Sequence, residues 1–391
     1  MTCDLRLATC DLRKILFAAL VGALALTGCE GVLASSSEAA ETTSVAQATR
    51  VPVTIVATSL RPTAMHPLPT AMPAPTALPA VAFVQLTQGQ CCVQPFFSPD
   101  GTRVLFLDRP SPNAPAGIWS VATDRPLSPP EFFTDRLGPF SHDLSLALDL
   151  QNGRTVIERL SDGTRWVINN GGRIVSFSPD AAQIVWAVQQ EVGGFDVRRT
   201  ELWVANADGS NPRSVATRFG GGALGWFPDS RRLLIGGRLN RDGAQATLSI
   251  LDVKDGSTRH LIRYERLRGP SISPNGRWLA YFVSQSRDAA QDGMYMLDLE
   301  RPAAQPRRLN FFGAYRWRDG DRLLYVPLAP GVPSNELWQL DVISGTAQQL
   351  IAASAHSPFK IANGDWDVSR DGSKVVFLSA RDRNLWLVTL P

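Results

Sequence analysis

Over most of its length the chain alternates short apolar runs with tight polar turns. "FSPDGTRVLFLD" (Phe97 to Asp108) shows the unit. Ser98-Pro99-Asp100-Gly101 suits a type I turn: Pro99 presets φ, Asp100 can bond its own backbone, and Gly101 takes φ > 0 without a Cβ clash. Val104-Leu105-Phe106-Leu107 follows without polar interruption and predicts a strand buried on both faces. The pattern returns. Phe177-Ser178-Pro179-Asp180 leads into "QIVWAV", and Trp226-Phe227-Pro228-Asp229 into "RRLLIGG". Ile272-Ser273-Pro274-Asn275-Gly276 leads into "RWLAYFV", Trp317-Arg318-Asp319-Gly320 into "DRLLYVPL", and Val368-Ser369-Arg370-Asp371-Gly372 into "SKVVFLS". A weaker copy, Phe140-Ser141-His142-Asp143, lacks both Pro and Gly and leads into "LSLALDL".

The acidic or amide turn residues recur every 37 to 52 residues. A second motif follows most copies: "GIWSV", "ELWVANADGS", "TLSILDVKDGS", "GMYMLDL", "ELWQLDVISG" and "NLWLVTLP". It reads as a third strand, often closed by another Asp-Gly or Ser-Gly turn into a fourth. Four short strands in about 45 residues, repeated seven times, predict an all-β fold, a seven-bladed β-propeller of four-stranded blades. The chain stops at Pro391, directly after a third strand, so "AVAFVQLTQ" (80–88) is expected to supply the missing fourth strand and close the ring. Ala181 and Ser230 stand where the turn wants glycine, so those turns must strain or change type.

The repeat resembles the WD-like "SPDG" blade of the TolB-like propeller family over roughly residues 81–391. The resemblance implies the fold and says little about function. Trp119, Trp203, Trp338 and Trp386 share one third-strand position, and Trp226, Trp317 and Trp366 lie on or near first strands. Packing between blades is their expected role.

Ahead of the repeats the composition changes twice. In "RKILFAALVGALALTGC" two cations precede a twelve-residue apolar core, too short to span a bilayer and suited to a signal peptide. Leu26-Thr27-Gly28-Cys29 resembles the bacterial lipoprotein box, which implies lipidation of Cys29 and an extracytoplasmic chain anchored in the cell membrane. Residues 30–80 are rich in Pro, Ser, Thr and Ala and predict a disordered tether without a packed core. The expected domains are therefore 1–29, signal peptide with lipobox; 30–80, tether; and 81–391, propeller.

Charge adds little to this picture. The formal net charge is +3 over 391 residues, with no block of like charges, so no nucleic-acid partner is expected. Five cysteines without a CxxC spacing and four scattered histidines give no reason to expect a metal, and no cofactor is expected. Cys91-Cys92 are adjacent, and in an oxidising compartment they can close a vicinal disulfide.

In each blade the tight "SPDG" and "ADGS" turns share one end, while longer, more varied loops and the blade-to-blade connections share the other, where function concentrates. The connections pair cations with rings: Arg218-Phe219, Arg263-Tyr264, Phe311-Phe312 with Tyr315, and Phe359-Lys360. These are the candidate residues for an envelope protein, peptide or glycan ligand, although rings at these positions could equally plug the channel.

Enzyme signatures are sparse. No GxSxG occurs, and "LSDGTRW" (160–166) is a compressed, single Asp-box-like run that reads as a strand turn. The loop carboxylates Glu191, Asp196, Asp288, Asp292 and Glu336 could pair across blades, although solvated charge is the simpler reading. A non-catalytic binding or scaffold module is the expected function. A hydrolase or lyase acting on glycans or peptidoglycan fragments is the alternative.

Overall fold

The computed structural model describes residues 81–391 except 191–192, 244, 287 and 302. The signal peptide, Cys29, the tether and Glu191 lie outside the described residues.

Chain order gives 26 strands among the described residues. The first sheet runs β2 (Val93–Phe97), β3 (Arg103–Asp108), β4 (Gly117–Ala122) and β5 (Glu131–Thr134). The second holds β6 (Leu146–Gln151), β7 (Arg154–Arg159) and β8 (Arg165–Ile168). A seven-stranded sheet joins β9 (Ser176–Phe177), β10 (Gln183–Gln189), β11 (Arg199–Asn206), β12 (Arg213–Trp226), β13 (Arg232–Arg238), β14 (Ala246–Asp252) and β15 (Thr258–Tyr264). Two four-stranded sheets follow. One is β16 (Leu267–Ile272), β17 (Trp278–Val283), β18 (Gly293–Asp298) and β19 (Arg307–Leu309). The other is β20 (Gly313–Trp317), β21 (Arg322–Pro327), β22 (Leu337–Asp341) and β23 (Ala347–Ile351). The last sheet is β24 (Ile361–Val368), β25 (Lys374–Ser379), β26 (Leu385–Thr389) and then β1 (Phe83–Gln85). All pairings are antiparallel, so each sheet is built from up-and-down meanders.

The closing strand forms. β1 lies antiparallel on β26, with Phe83 opposite Val388 and Gln85 opposite Trp386. This covers an edge that β26 would otherwise leave open. The second copy is reduced, however. Phe140 makes one isolated bridge to Ala147 in place of a ladder. Pro139, which has no N–H to give, precedes it, and its carbonyl accepts from Leu148 N at 2.9 Å.

The turns explain the repeat. Ser98, Ser141, Ser178, Ser273 and Ser369 each donate Oγ–H to the turn residue two places on, Asp100, Asp143, Asp180, Asn275 and Asp371, all at 2.6 Å. The same Oγ accepts the N–H five residues on, at 2.9–3.0 Å. One hydroxyl thus ties both sides of the hairpin, and a neutral apolar residue could not. Gly101 holds φ +69 at the fourth position. Ala181 and Ser230 hold φ +58 and +56 at the equivalent place, so these turns keep their type and carry the strain of a left-handed residue with a Cβ. Leu144 does the same in the weak copy, at φ +59.

The apolar core lies between successive meanders. Leu324, Leu337, Phe359, Trp366 and Phe377 pack the β20–β23 sheet on the closing sheet. Leu86, Phe97, Phe106, Leu378 and Leu387 pack the closing sheet on the first. Each such side chain, taken fully out of water, contributes about 1.5–3 kcal/mol. The tryptophans join these layers: Trp226 Nε1 donates to Ser176 O at 3.3 Å and Trp317 Nε1 to Ser271 O at 3.2 Å, each reaching a neighbouring first strand. Trp203 stacks on Trp186 and Trp338 on Tyr325. Among the described residues no helix is long and apolar enough to cross a membrane.

Candidate functional site

At the loop-bearing end, β12 is the element that gathers candidates. It is the last strand of one meander and the first of the next, with register breaks between Phe219 and Gly222 that let it turn from one to the other. Phe219 lies between Arg199 on β11 and Arg238 on β13. Arg199 pairs with Glu201, and Arg238 Nη2 lies 3.5 Å from Asp196 Oδ2. Tyr264 is largely buried at the far end of the same sheet, and burial pushes its phenol up to about 12. A Cβ on Gly236 would meet the Tyr264 hydroxyl at 2.5 Å, so the bare backbone there makes room for the ring. Arg263, opposite Thr247, is exposed.

Arg218 differs from its neighbours. It is 5% exposed, and burial lowers its pKa. The side chain therefore points into the protein.

The other sequence candidates separate by burial. Phe312 is 48% exposed and meets Phe282 edge-on. Phe311 is half-buried, stacked on Tyr325 with ring centroids 3.8 Å apart. Tyr315 is buried, its hydroxyl donating to Gly269 O, and burial raises its pKa. Phe359 has no exposed surface and packs edge-on against Phe377 at 4.9 Å, while Lys360 beside it is exposed. Phe359 and Tyr315 are thus core residues with no face to offer a ligand. The structure brings Arg218, Phe219, Arg263 and Tyr264 to one sheet, while Tyr315 lies on another and Phe311, Phe312, Phe359 and Lys360 lie in connections between strands.

The loop carboxylates have structural work. Asp292 accepts from Gln285 N, Ser286 N and Ser286 Oγ, and the Ser286 bonds hold its pKa down. Asp288 caps a short 3-10 turn through Ala290 N, and Glu336 accepts from Trp338 Nε1 at 2.9 Å. The run 160–166 is the β7–β8 turn and the start of β8, with Asp162 Oδ1 accepting from Thr164 N. Among the described residues no group of three His, Cys, Asp or Glu is placed to hold a metal. His260 bonds Ser249, and His356 lines an apolar hollow of about 340 Å³ with Val81, Phe83, Leu350 and Pro358.

A second constellation was not anticipated. Asp367 on β24 accepts from Phe97 N on β2 at 3.2 Å, and burial raises its carboxyl pKa while Arg316 and His142 pull it back. Arg316 on β20 lies over the Trp366 ring at 5.4 Å, and the buried Trp366 Nε1 has no hydrogen-bond partner. Three sheets and a turn therefore converge on one carboxylate. A sequence signal existed: Asp367 and Arg316 each stand two residues before the residue that opens a turn, in successive copies, with opposite charge.

Cys91 and Cys92 are joined to each other. Thr87 Oγ1 lies 3.1 Å from Cys91 Sγ and accepts from Leu385 N, and Gln90 N donates to Asn384 Oδ1. The pair therefore sits beside the β1–β26 seam, on a backbone with φ > 0 at Gln90, Cys92 and Gln94.

No family model matches the chain, and no curated protein matches it. Solved structures do. An oligogalacturonate lyase of Vibrio parahaemolyticus superposes with a TM-score of 0.50 at 12% identity, covering 81% of this chain and 99% of that one. The β-propeller domain of the trilobed protease of Pyrococcus furiosus gives 0.43 at 19%, covering 63% and 79%. A TolB of Agrobacterium tumefaciens gives 0.36 at 15%, covering 77% and 91%. The fold is a β-propeller. At these identities the likeness speaks for the fold alone, and the chemistry of this propeller has to come from its own residues.

Proposed function

We propose that the chain is a seven-bladed propeller, tethered outside the cytoplasm through a lipid on Cys29, that binds an envelope protein through its loop-bearing end without catalysis. The count of seven takes the seven-stranded sheet as two blades divided within β12, and takes Phe140 with β6–β8 as one. One observation carries the binding reading. Eleven large hydrophobic side chains are exposed among the described residues. Five of them, Ile174, Phe195, Leu239, Phe312 and Leu328, fall on the second-to-third loops and blade connections, whereas Leu127 and Ile343 alone fall on third-to-fourth turns and the others lie on strands. Apolar side chains gathered at one end, beside Arg263 and Lys360, suit a protein surface with apolar anchors and a cationic rim. Among the described residues the loop carboxylates Asp288, Asp292 and Glu336 are engaged in structural bonds.

The test is crosslinking of the full-length chain in cells, followed by mass spectrometry of what is captured. A reproducible partner, lost when Phe195, Phe312 and Leu328 are changed together to Ser, supports the reading. Capture unchanged by those substitutions defeats it.

A second reading, a hydrolase or lyase acting on glycans or peptidoglycan fragments, draws on Asp367: a carboxyl of raised pKa beside Arg316 and His142 resembles the tuning of an acid–base group. Because one similar fold belongs to an oligogalacturonate lyase, that oligosaccharide is the first substrate to offer. Turnover abolished by Asp367→Asn would favour the enzyme, and no turnover of either class of glycan would remove it.

A further inference from the structure

Arg218 carries an open bond-forming edge in the interior. Its Nη1 donates to Thr217 O at 2.8 Å, but Nε and Nη2 have no partner. Buried donors left unpaired cost free energy, and a buried cation without a counter-charge costs more. The two open atoms are not a random pair. Nε–H and the adjacent Nη2–H lie on one edge of the planar guanidinium and point the same way, the fork that receives both oxygens of a carboxylate.

A third open atom lies on the neighbouring strand. Thr200 is the direct cross-strand partner of Arg218 on β11, is fully buried, and its Oγ1 also lacks a partner. Direct partners in an antiparallel pair hold their Cβ atoms about 5 Å apart on one face. On the β13 side Gly237 holds φ +128, and a Cβ there would meet the Arg218 Cβ at 3.0 Å. The nearby cations are occupied, Arg199 by Glu201 and Arg238 by Asp196. Among the described residues no carboxylate is paired with Arg218.

We propose that the Nε/Nη2 edge of Arg218 and the hydroxyl of Thr200 form an internal site for the carboxylate of a small organic acid. A single monoanion satisfies all three open polar atoms and leaves the site neutral. A phosphate dianion would bring a second negative charge with no cation to meet it, and a chloride would engage the fork at one point only. The site goes beyond the partner-binding reading and is independent of it, since none of the exposed loop residues belongs to it.

Thermal unfolding of the full chain at neutral pH and constant ionic strength, with acetate, phosphate or chloride as the varied anion, tests this. Acetate should raise the midpoint in a saturable way, as a ligand bound only by the native state does, and matched chloride and phosphate should not. Arg218→Met should abolish the acetate response, and Thr200→Val should weaken apparent acetate affinity about three- to tenfold, the worth of one hydrogen bond. A flat response to acetate, an equal response to all three anions, or an acetate response that survives Arg218→Met overturns the proposal. If Arg218→Met does not fold, equilibrium dialysis of labelled acetate against wild type and Thr200→Val decides: unchanged affinity overturns it, and the stated loss supports it.

Discussion

The tight-turn end and the loop-bearing end of this propeller are made from the same blades and follow opposite rules. At the tight-turn end the turn carboxylates Asp100, Asp143, Asp180 and Asp371 are each placed by their own hairpin. The Ser98 hydroxyl and the Thr102 backbone hold Asp100 at about 2, and Ser369 and Ser373 hold Asp371 at about 2. At the loop-bearing end Arg218 and Thr200 are buried with open polar atoms, and Phe312 and Leu328 stand in water. Closing a hairpin poses the same local problem in every blade, so one solution repeats. The longer connections meet no such shared constraint, so their lengths and sequences differ from blade to blade.

Burial sharpens the comparison most. Phe359 and Phe312 both belong to blade connections, but only Phe312 belongs to the surface. Phe359→Ala should cost about 3–5 kcal/mol by emptying the space against Phe377, whereas Phe312→Ala should change stability by less than about 0.5 kcal/mol. Urea unfolding of both variants checks this. Equal effects would mean that Phe359 is not the anchor between the last two sheets.

The turn hydroxyls come next. Ser369 is buried, donates to Asp371 and accepts from Lys374 N at 2.9 Å. Ser369→Ala leaves that N–H unmet and should cost about 1–3 kcal/mol, seen as a lower denaturation midpoint. Removing the exposed Ser210 hydroxyl from a third-to-fourth turn, where it donates to Asp208 and accepts from Asn206 Nδ2 in the reach of water, should cost less.

Acid separates two kinds of carboxylate. Asp100 and Asp371 fall from 3.8 to about 2 on folding, so their stabilisation is present above pH 3.8 and is lost as pH falls toward 2. Asp367 has the opposite sign. Burial raises its pKa, so its ionised form opposes folding above the unfolded value, and protonation relieves this as pH falls. Asp371→Asn should therefore flatten the acid limb of a stability–pH curve. Asp367→Asn should stabilise the protein at neutral pH and lose that advantage in acid, provided Asn still accepts from Phe97 N. Parallel pH profiles for the two variants would break the distinction.

The turn pattern and the closing strand were legible because they rest on local chemistry: a Ser two residues before an Asp, and an apolar run where the last sheet needed an edge. The fate of Phe359 and Arg218 was not. Both sit in connections that read as loops, and their burial depends on Phe377 and Gly237, which are close in space through sheet packing. Asp367 was hidden for another reason. Its meaning appears only when the copies are aligned by turn and Arg316 is seen at the same position of the preceding one. The lone bridge at Phe140 was anticipated as weakness, since that copy lacks the usual Pro and Gly.

The smallest effect probes the turns that break their own rule. Ala181 holds φ +58 where Gly101 holds +69. A Cβ in that region costs about 1–2 kcal/mol, and glycine returns about half of this through the freedom it gains in the unfolded chain. Ala181→Gly should therefore stabilise by about 0.5 kcal/mol. Ser230 holds φ +56, but its Oγ accepts from Asp180 N at 3.0 Å and so ties one turn to the next. Ser230→Gly would relieve the same strain and lose that bond, worth about 1 kcal/mol, so it should give no gain. Paired urea midpoints decide. A gain for both would show that the Ser230 bond contributes nothing. A gain for neither would show that a side chain at this position costs little, and that the glycine of the repeat is kept for a reason other than φ.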